Sequence, residues 1–239
     1  MEESYQFKSI GIVHSCFKER FGIPRQPGLV TAARGWIEFY SPYDREEAFE
    51  GLESFSHLWI TFLFHQSLNN QPGFVVRPPR SSGRRNLGVY ATRAPNRPNQ
   101  IGQSVVALEK IEVERGKVKL HLRGVDMVEG TPVLDIKPYL PYADNVLQAH
   151  GSYAHTAPDK VINVVFASSV NEELKLFNSG YPDLQQLIVE VLQYDPRPIY
   201  YRGGDQKSEF SVNLYDLEVC WQMLNEQNAH VIAIKKVVE

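Results

Sequence analysis

A mainly β fold, with a β-rich N-terminal domain and a smaller C-terminal α+β domain, is predicted by three features of this 239-residue chain. Strand-like segments, separated by Pro- and Gly-containing loops, fill the first two thirds. One of them, from Ile111 to Leu122, has the alternation of a hairpin. After about residue 150 the pattern changes to helical spacing and then back to strands. The change falls in "AHGSYAHTAPD", a small, polar, proline-containing stretch that reads as a boundary loop. The expected domains are therefore 1–150 and 151–239.

The elements follow in order. Gln6 to Val13 alternates and is rich in β-branched residues, predicting an opening strand, and Gly35 to Phe39 predicts another. Asp44 to Phe55 places Ala48, Leu52 and Phe55 on one side of a short helix, although Gly51 weakens it. "HLWITFLFH", His57 to His65, is apolar almost throughout and predicts a strand buried on both faces. In the hairpin, Ile111 and Val113 alternate with Glu112 and Glu114. Gly116 makes the turn, and Val118, Leu120 and Leu122 alternate with Lys119 and His121. Val133 to Ile136 is strand-like and is stopped by Pro138 and Pro141. Lys160 to Ala167 predicts a strand and Asn171 to Phe177 a helix ended by Gly180. Pro182 is placed to open a second helix, whose apolar stripe is Leu184, Leu187, Ile188, Val191 and Leu192. Two closing strands are expected, Phe210 to Leu224 and His230 to Val238.

Composition narrows the function. With 43% apolar and 22% charged residues the chain supports an ordinary folded core. A net charge of -3 argues against purely electrostatic nucleic-acid binding, though not against a local basic patch. The N-terminus lacks the apolar run of a signal peptide. No apolar stretch approaches the ~18 residues of a membrane span, so a cytoplasmic protein is expected. The two cysteines, Cys16 and Cys220, are far apart and form no CxxC pair, so no metal site is expected. Cys220 sits in an apolar alternation that predicts buried packing.

The chemistry-bearing residues cluster in loops. Arg77, Arg80, Arg84, Arg85, Arg93 and Arg97 fall in one segment, with no Asp or Glu between Arg77 and Leu108. Guanidinium groups bind carboxylates and phosphates through paired donors. Two readings are open: an anion-binding face, or a solvated face that pairs with the acidic Asp44 to Glu53 segment. "ATRAPNRPNQIG" holds two of these arginines on a loop that Pro95 and Pro98 keep from being helical. "DPRPIY" repeats the theme, with Arg197 between Pro196 and Pro198, Asp195 before it and Tyr200 after it. There the alternatives are rigid presentation of an arginine and a stacking tyrosine, or a stiff loop in which Arg197 pairs with Asp195. Asp135 and Lys137 share one face of a strand end, as in a binding site or a salt bridge. His65 and Gln66 end the aromatic strand, and Pro24, Arg25 and Gln26 lie in a connecting loop. The chain has no GxGxxG, no GxxxxGK[ST] and no GxSxG. Residue chemistry alone thus reaches an anion-binding loop face and no reaction.

Several long blocks, "PRQPG", "GLESFSHLWITFLFHQ", "VRPPR", "LGVYATRAPNRPNQIG", "GVDMVEGTPVLDIKPYLPYAD" and "DPRPIY", together resemble the TrmO (YaeB/TsaA-like) family across nearly the whole chain. The resemblance implies an S-adenosylmethionine-dependent tRNA methyltransferase acting at N6 of N6-threonylcarbamoyladenosine, position 37. It further implies a β-barrel cofactor domain, a homodimer, and contact with the tRNA anticodon loop. Matched residue by residue, the cofactor site comprises Pro24, Arg25, Gln26, His65, Gln66, Arg93, Leu122, Asp135, Ile136, Lys137 and Pro138. Asp195 and Asp135 are candidate proton acceptors. Arg97, Arg197, Tyr200, Arg84 and Arg85 are candidate tRNA contacts. The family commonly has proline where this chain has Gln100, a change expected to loosen the turn slightly. A non-catalytic nucleotide- or RNA-binding module is the alternative.

Overall fold

The computed structural model describes residues 3–68, 71–78, 86–198, 201 and 209–237. The chain divides into two compact units. The first comprises Met1–His14, Trp36–Leu122 and Gly130–Ala157, and the second comprises Ser15–Gly35, Arg123–Glu129 and Pro158–Glu239. The units are therefore not consecutive in sequence: two internal segments of the first 150 residues belong with the C-terminal one.

The first unit is built on a closed barrel. Its strands are β1 (Gly11–Ser15), β2 (Arg34–Phe39), β3 (His57–Leu63), β6 (Ile101–Glu114), β7 (Lys117–Arg123) and β8 (Thr131–Pro138). They are ordered β1-β2-β7-β6-β3-β8. A two-stranded ribbon, β4 (Val75–Val76) with β5 (Leu87–Gly88), stands apart from it. Closure leaves the barrel without the unpaired edges of an open sheet. Inward positions alternate with outward ones, so Leu58, Ile60 and Phe62 of β3 are buried with Val118, Leu120 and Leu122 of β7. Each such side chain contributes about 1.5–3 kcal/mol of burial. Gly102 is required by this packing, because a Cβ there would lie 2.4 Å from the Phe62 ring.

Several elements differ from expectation, each for a local reason. The opening strand begins only at Gly11 and ends at Ser15. The aromatic strand is buried on one face, with the residues between Leu58, Ile60 and Phe62 only partly covered, because it is a barrel wall and not the centre of a two-sided sheet. The helix expected over Asp44 to Phe55 is two short 3-10 turns, Glu46–Phe49 and Leu52–Ser54. Gly51, at φ 81°, separates them. The hairpin forms as expected, with Arg115 and Gly116 both at positive φ (53° and 74°), the conformation of a type I′ turn. Its first strand starts ten residues earlier than the alternation suggested, at Ile101. Pro141 opens the short helix α1 (Pro141–Asp144).

In the second unit, β9 (Asn163–Phe166), α2 (Val170–Asn178), α3 (Leu184–Leu192), β10 (Glu209–Leu214), β11 (Leu217–Asn225) and β12 (Asn228–Lys236) follow in sequence. The sheet order is β10-β11-β12-β9, antiparallel except for β12 with β9. The stripe Leu184, Leu187, Ile188, Val191 and Leu192 is buried as its spacing predicts. The first closing strand is in fact two, β10 and β11. They are turned by Tyr215 at φ 57° and Asp216, a turn lacking the Asn-Gly or Asp-Gly signature.

The segment 15–35 is tied in by polar contacts. The Tyr215 N–H donates to the Cys16 carbonyl (2.7 Å), and Glu190 accepts from Thr31 Oγ1 (2.8 Å) and the Ala32 N–H (2.9 Å). Asp183 receives Nη2 of both Arg34 (3.0 Å) and Arg123 (3.2 Å). The burial expected of Cys220 is not found. Both are free, but Cys16 is the buried one, its thiol pushed up to about 12 by burial, while Cys220 lies on the partly covered face of β11. Among the described residues no helix is long and apolar enough to cross a membrane, and no His, Cys, Asp and Glu cluster is arranged to hold a metal ion.

Candidate active site

The Arg93–Arg97 loop is an internally bonded unit. The Thr92 hydroxyl donates to the Val89 carbonyl (2.8 Å) and accepts from the Ala94 N–H (3.3 Å). Arg97 turns back on the loop and donates Nη1 to the Thr92 carbonyl (3.1 Å). Its own N–H reaches the Pro95 carbonyl (2.9 Å). The guanidinium of Arg97 thus closes the loop around Arg93, whose side chain is exposed. Among the described residues Arg97 has no carboxylate partner.

His65 and Gln66 lie in the 3-10 turn His65–Ser67 that follows β3. His65 is half-buried and Gln66 exposed. The turn is fastened to the arginine loop by Gln100, which occupies positive φ (44°) and is 8% exposed. Its carbonyl accepts from the Phe64 N–H (2.8 Å), and its side-chain amide donates to the Ser67 carbonyl (3.1 Å). Its N–H donates to the Arg97 carbonyl (3.2 Å). Gln100 therefore fastens the His65–Ser67 turn, a different turn from its own. Proline, fixed near φ −65°, has neither the N–H that donates to Arg97 nor the side-chain amide that donates to Ser67. The sequence marks Gln100 only as a departure from the family's proline, because its partners in the other turn, Phe64 and Ser67, are more than thirty positions away.

Asp135 and Lys137 project from the same face of β8, as their spacing predicts, and form an ion pair. Asp135 pairs in register with Thr61 of β3, next to a slip between Thr61 and Phe62. Its Oδ1 accepts from the Ile136 N–H (2.9 Å). Asp135 and Ile136 border a cleft of about 620 Å³, with Phe39 and Phe49 among its apolar walls and Arg45 and Glu47 among its charged ones. The two rings meet edge to face at 4.8 Å. The segment carrying Arg45 and Phe49 was legible only as an acidic helix candidate. Leu122 is wholly buried in the barrel, where its side chain is part of the core and is not presented to a ligand.

The remaining candidates lie in the second unit or outside the described residues. Pro24 and Gln26 are half-buried and Arg25 exposed. They lie in a loop between Gly22 and Gly28, both at positive φ (86° and 74°). A Cβ on Gly22 would meet Val212 at 2.5 Å. Asp195 and Arg197 form a buried bidentate pair, Nε to Oδ1 at 2.7 Å and Nη2 to Oδ2 at 3.1 Å, and the guanidinium lies 5.8 Å from the centre of the Phe210 ring. Of the two readings of "DPRPIY", the internal pair is the one formed. Arg84, Arg85 and Tyr200 lie outside the described residues.

Comparison with known proteins identifies the family. The sequence matches the tRNA-methyltransferase O N-terminal domain over residues 12–145 and the TrmO C-terminal domain over residues 159–237. It is 44% identical to the tRNA (adenine(37)-N6)-methyltransferase of Escherichia coli K12 over 92% of this chain and 94% of that protein. A Pyrococcus abyssi protein named "Probable S-adenosyl-L-methionine-binding protein" is 41% identical over 58% of this chain and 70% of its own length. The crystal structure of TrmO from Pseudomonas aeruginosa superposes with a TM-score of 0.80 at 39% identity, covering 98% of this chain and 99% of that one. A six-stranded barrel, a smaller α+β unit and matches to both family domains in order place this chain in the tRNA-methyltransferase O family, in its two-domain form.

Proposed function

We propose that this chain transfers the methyl group of S-adenosylmethionine to N6 of N6-threonylcarbamoyladenosine at position 37 of tRNA. The observation that carries the reading is the similarity to the E. coli tRNA (adenine(37)-N6)-methyltransferase along 92% of the chain. The Pyrococcus relative's name supports the cofactor. The residues suit it chemically. The cleft beside Asp135 has the size and the mixture of apolar wall and convergent polar groups that a nucleoside-sized ligand needs. Arg93 supplies a guanidinium for the methionine carboxylate, Asp135 an acceptor for its amine or the ribose, and the backbone of Ile136 to Pro138 edges for adenine.

When bound, the sulfonium supplies an activated methyl group, so the protein's work is positioning. The attacking N6 is conjugated to adenine and to a carbamoyl group and is a poor nucleophile, which calls for a proton acceptor. Both carboxylates are paired, Asp195 with Arg197 and Asp135 with Lys137, but Asp195 is buried (5% exposed) whereas Asp135 is half-exposed, which favours Asp135. The Asp195 pairing also removes Arg197 as the first choice for the substrate's threonine carboxylate. Arg97, which spends one Nη on Thr92, is better placed for it. Arg84, Arg85 and Tyr200 complete the contacts proposed for the anticodon loop, and the working form is proposed to be a homodimer in the cytoplasm.

The decisive assay is methyl transfer to tRNA with and without the threonylcarbamoyl group. Methylation of the modified tRNA alone is expected. Cofactor binding without transfer to either tRNA would replace this reading with that of a non-catalytic RNA-binding module.

A further inference from the structure

We infer that Gln100 is a positioning residue that aligns two parts of the methyl-donor site at once. The inference rests on the cofactor site proposed above and names a residue outside it. Gln100 brackets His65 and Gln66: its carbonyl holds residue 64 just before them (2.8 Å), and its side-chain amide holds residue 67 just after them (3.1 Å). Through its own N–H it holds the Arg97 carbonyl (3.2 Å), and Arg97 in turn holds Thr92 (3.1 Å), so Arg93 is bracketed as well. One buried residue thereby fixes the spacing between a histidine–glutamine turn and an exposed arginine.

The local chemistry shows how much is committed to this arrangement. Gln100 accepts a left-handed backbone (φ 44°), which is costly for a non-glycine residue. It buries a primary amide with a backbone carbonyl partner that is itself buried, since Ser67 is 3% exposed. It also lies two residues before Gly102, whose missing Cβ admits the Phe62 ring (2.4 Å to a built Cβ). Phe62 lies two residues before the held segment, which runs from Phe64 to Ser67. Ring packing on one side and the amide clamp on the other leave that turn one arrangement relative to the arginine loop.

The test uses Gln100→Ala and the near-isosteric Gln100→Met in the full chain, with S-adenosylmethionine affinity measured by calorimetry and unfolding followed by circular dichroism. Both variants lack the amide donor, and Gln100→Met preserves the volume. Affinity is expected to weaken by about tenfold in both, the size of one well-placed hydrogen bond. In turnover the KM for the methyl donor should rise while kcat at saturation is kept. Unchanged affinity in a folded variant, with or without a lower melting temperature, would overturn the inference while leaving the cofactor site intact. No binding by the unaltered protein would instead overturn the cofactor reading, and the inference with it.

Discussion

Two loops of this protein present an arginine flanked by prolines, and they use it in opposite ways. In "APNRPNQ" Arg97 bonds a backbone carbonyl and has no carboxylate partner among the described residues. In "YDPRPIY" Arg197 is 7% exposed and is held in bidentate fashion by Asp195. The first loop keeps its positive charge available, and the second neutralises it internally. The discriminating feature is one residue, the aspartate two positions before Arg197. Asp195 sits at positive φ (49°), which brings its side chain back over the following residues. Rigid arginine presentation in a sequence is therefore an anion-site signal only where no acid stands within reach of the same turn.

The largest effect expected from this contrast is at Asp195. Removing the carboxylate in Asp195→Ala leaves a desolvated guanidinium without its bidentate partner, at a cost of about 3–5 kcal/mol. Denaturant unfolding measures it, and a loss below about 1 kcal/mol would erase the distinction between the loops. The matching change, Arg93→Ala, should leave the melting temperature of the free protein nearly unchanged. It should abolish the stabilisation by S-adenosylmethionine, which at a hundredfold excess over Kd amounts to about 2.7 kcal/mol. A retained shift would remove Arg93 from the site.

Arg97→Met sharpens the comparison at smaller scale. It removes one hydrogen bond to a backbone carbonyl, worth about 1 kcal/mol, and one positive charge from the exposed loop. If Arg97 meets tRNA, the salt dependence of tRNA binding should fall by about one unit of slope, less for a single strand. An unchanged slope would confine Arg97 to closing its own loop.

The same contrast explains how much was legible in sequence. Local periodicity served well in two places: the Gly116 hairpin and the Leu184–Leu192 stripe formed because their partners are near in the chain and share one repeat. The arrangement of the expected site was less so. The face shared by Asp135 and Lys137 follows from strand spacing, but the pairing of Asp195 with Arg197 competed with an equally plausible open arginine. Gln100 stood out only as a replaced proline; its clamping role was not legible, since it depends on a φ of 44° and on partners at Phe64 and Ser67. The membership of residues 15–35 in the second unit is likewise set by distant contacts, such as Thr31 and Ala32 with Glu190. The burial expected of Cys220 failed for a simpler reason: alternation identifies two faces of a strand without saying which is inside.

A third carboxylate lies between the two extremes. Asp216, 43% exposed, accepts a hydrogen bond from the Tyr181 hydroxyl and has Lys236 at 3.5 Å. Its partner is a neutral donor, not a guanidinium, and each group shifts the other. The Tyr181 hydroxyl holds the Asp216 carboxyl below its ordinary 3.8. The carboxylate in turn pushes the Tyr181 phenol from 10.0 up to about 12. Both shifts stabilise the folded state, and their contributions are lost at opposite ends of the pH scale. A depressed carboxyl contributes above its unfolded value, near 3.8, and its contribution fades as pH falls through the lower folded value. A raised phenol contributes fully below 10.0 and loses its contribution as pH climbs toward about 12. One hydrogen bond should therefore stabilise the second unit across the whole neutral range and fail at both ends. Tyr181→Phe should cost less than about 1 kcal/mol at pH 7, given the exposure of the pair. Its stability should converge with that of the unaltered protein in strong acid and again in strong base. Because phenylalanine keeps the ring stacked on Tyr215 at 4.8 Å, a difference that stays constant across that range would mean that the hydroxyl's contribution does not follow the titration of the pair, and would overturn this reading.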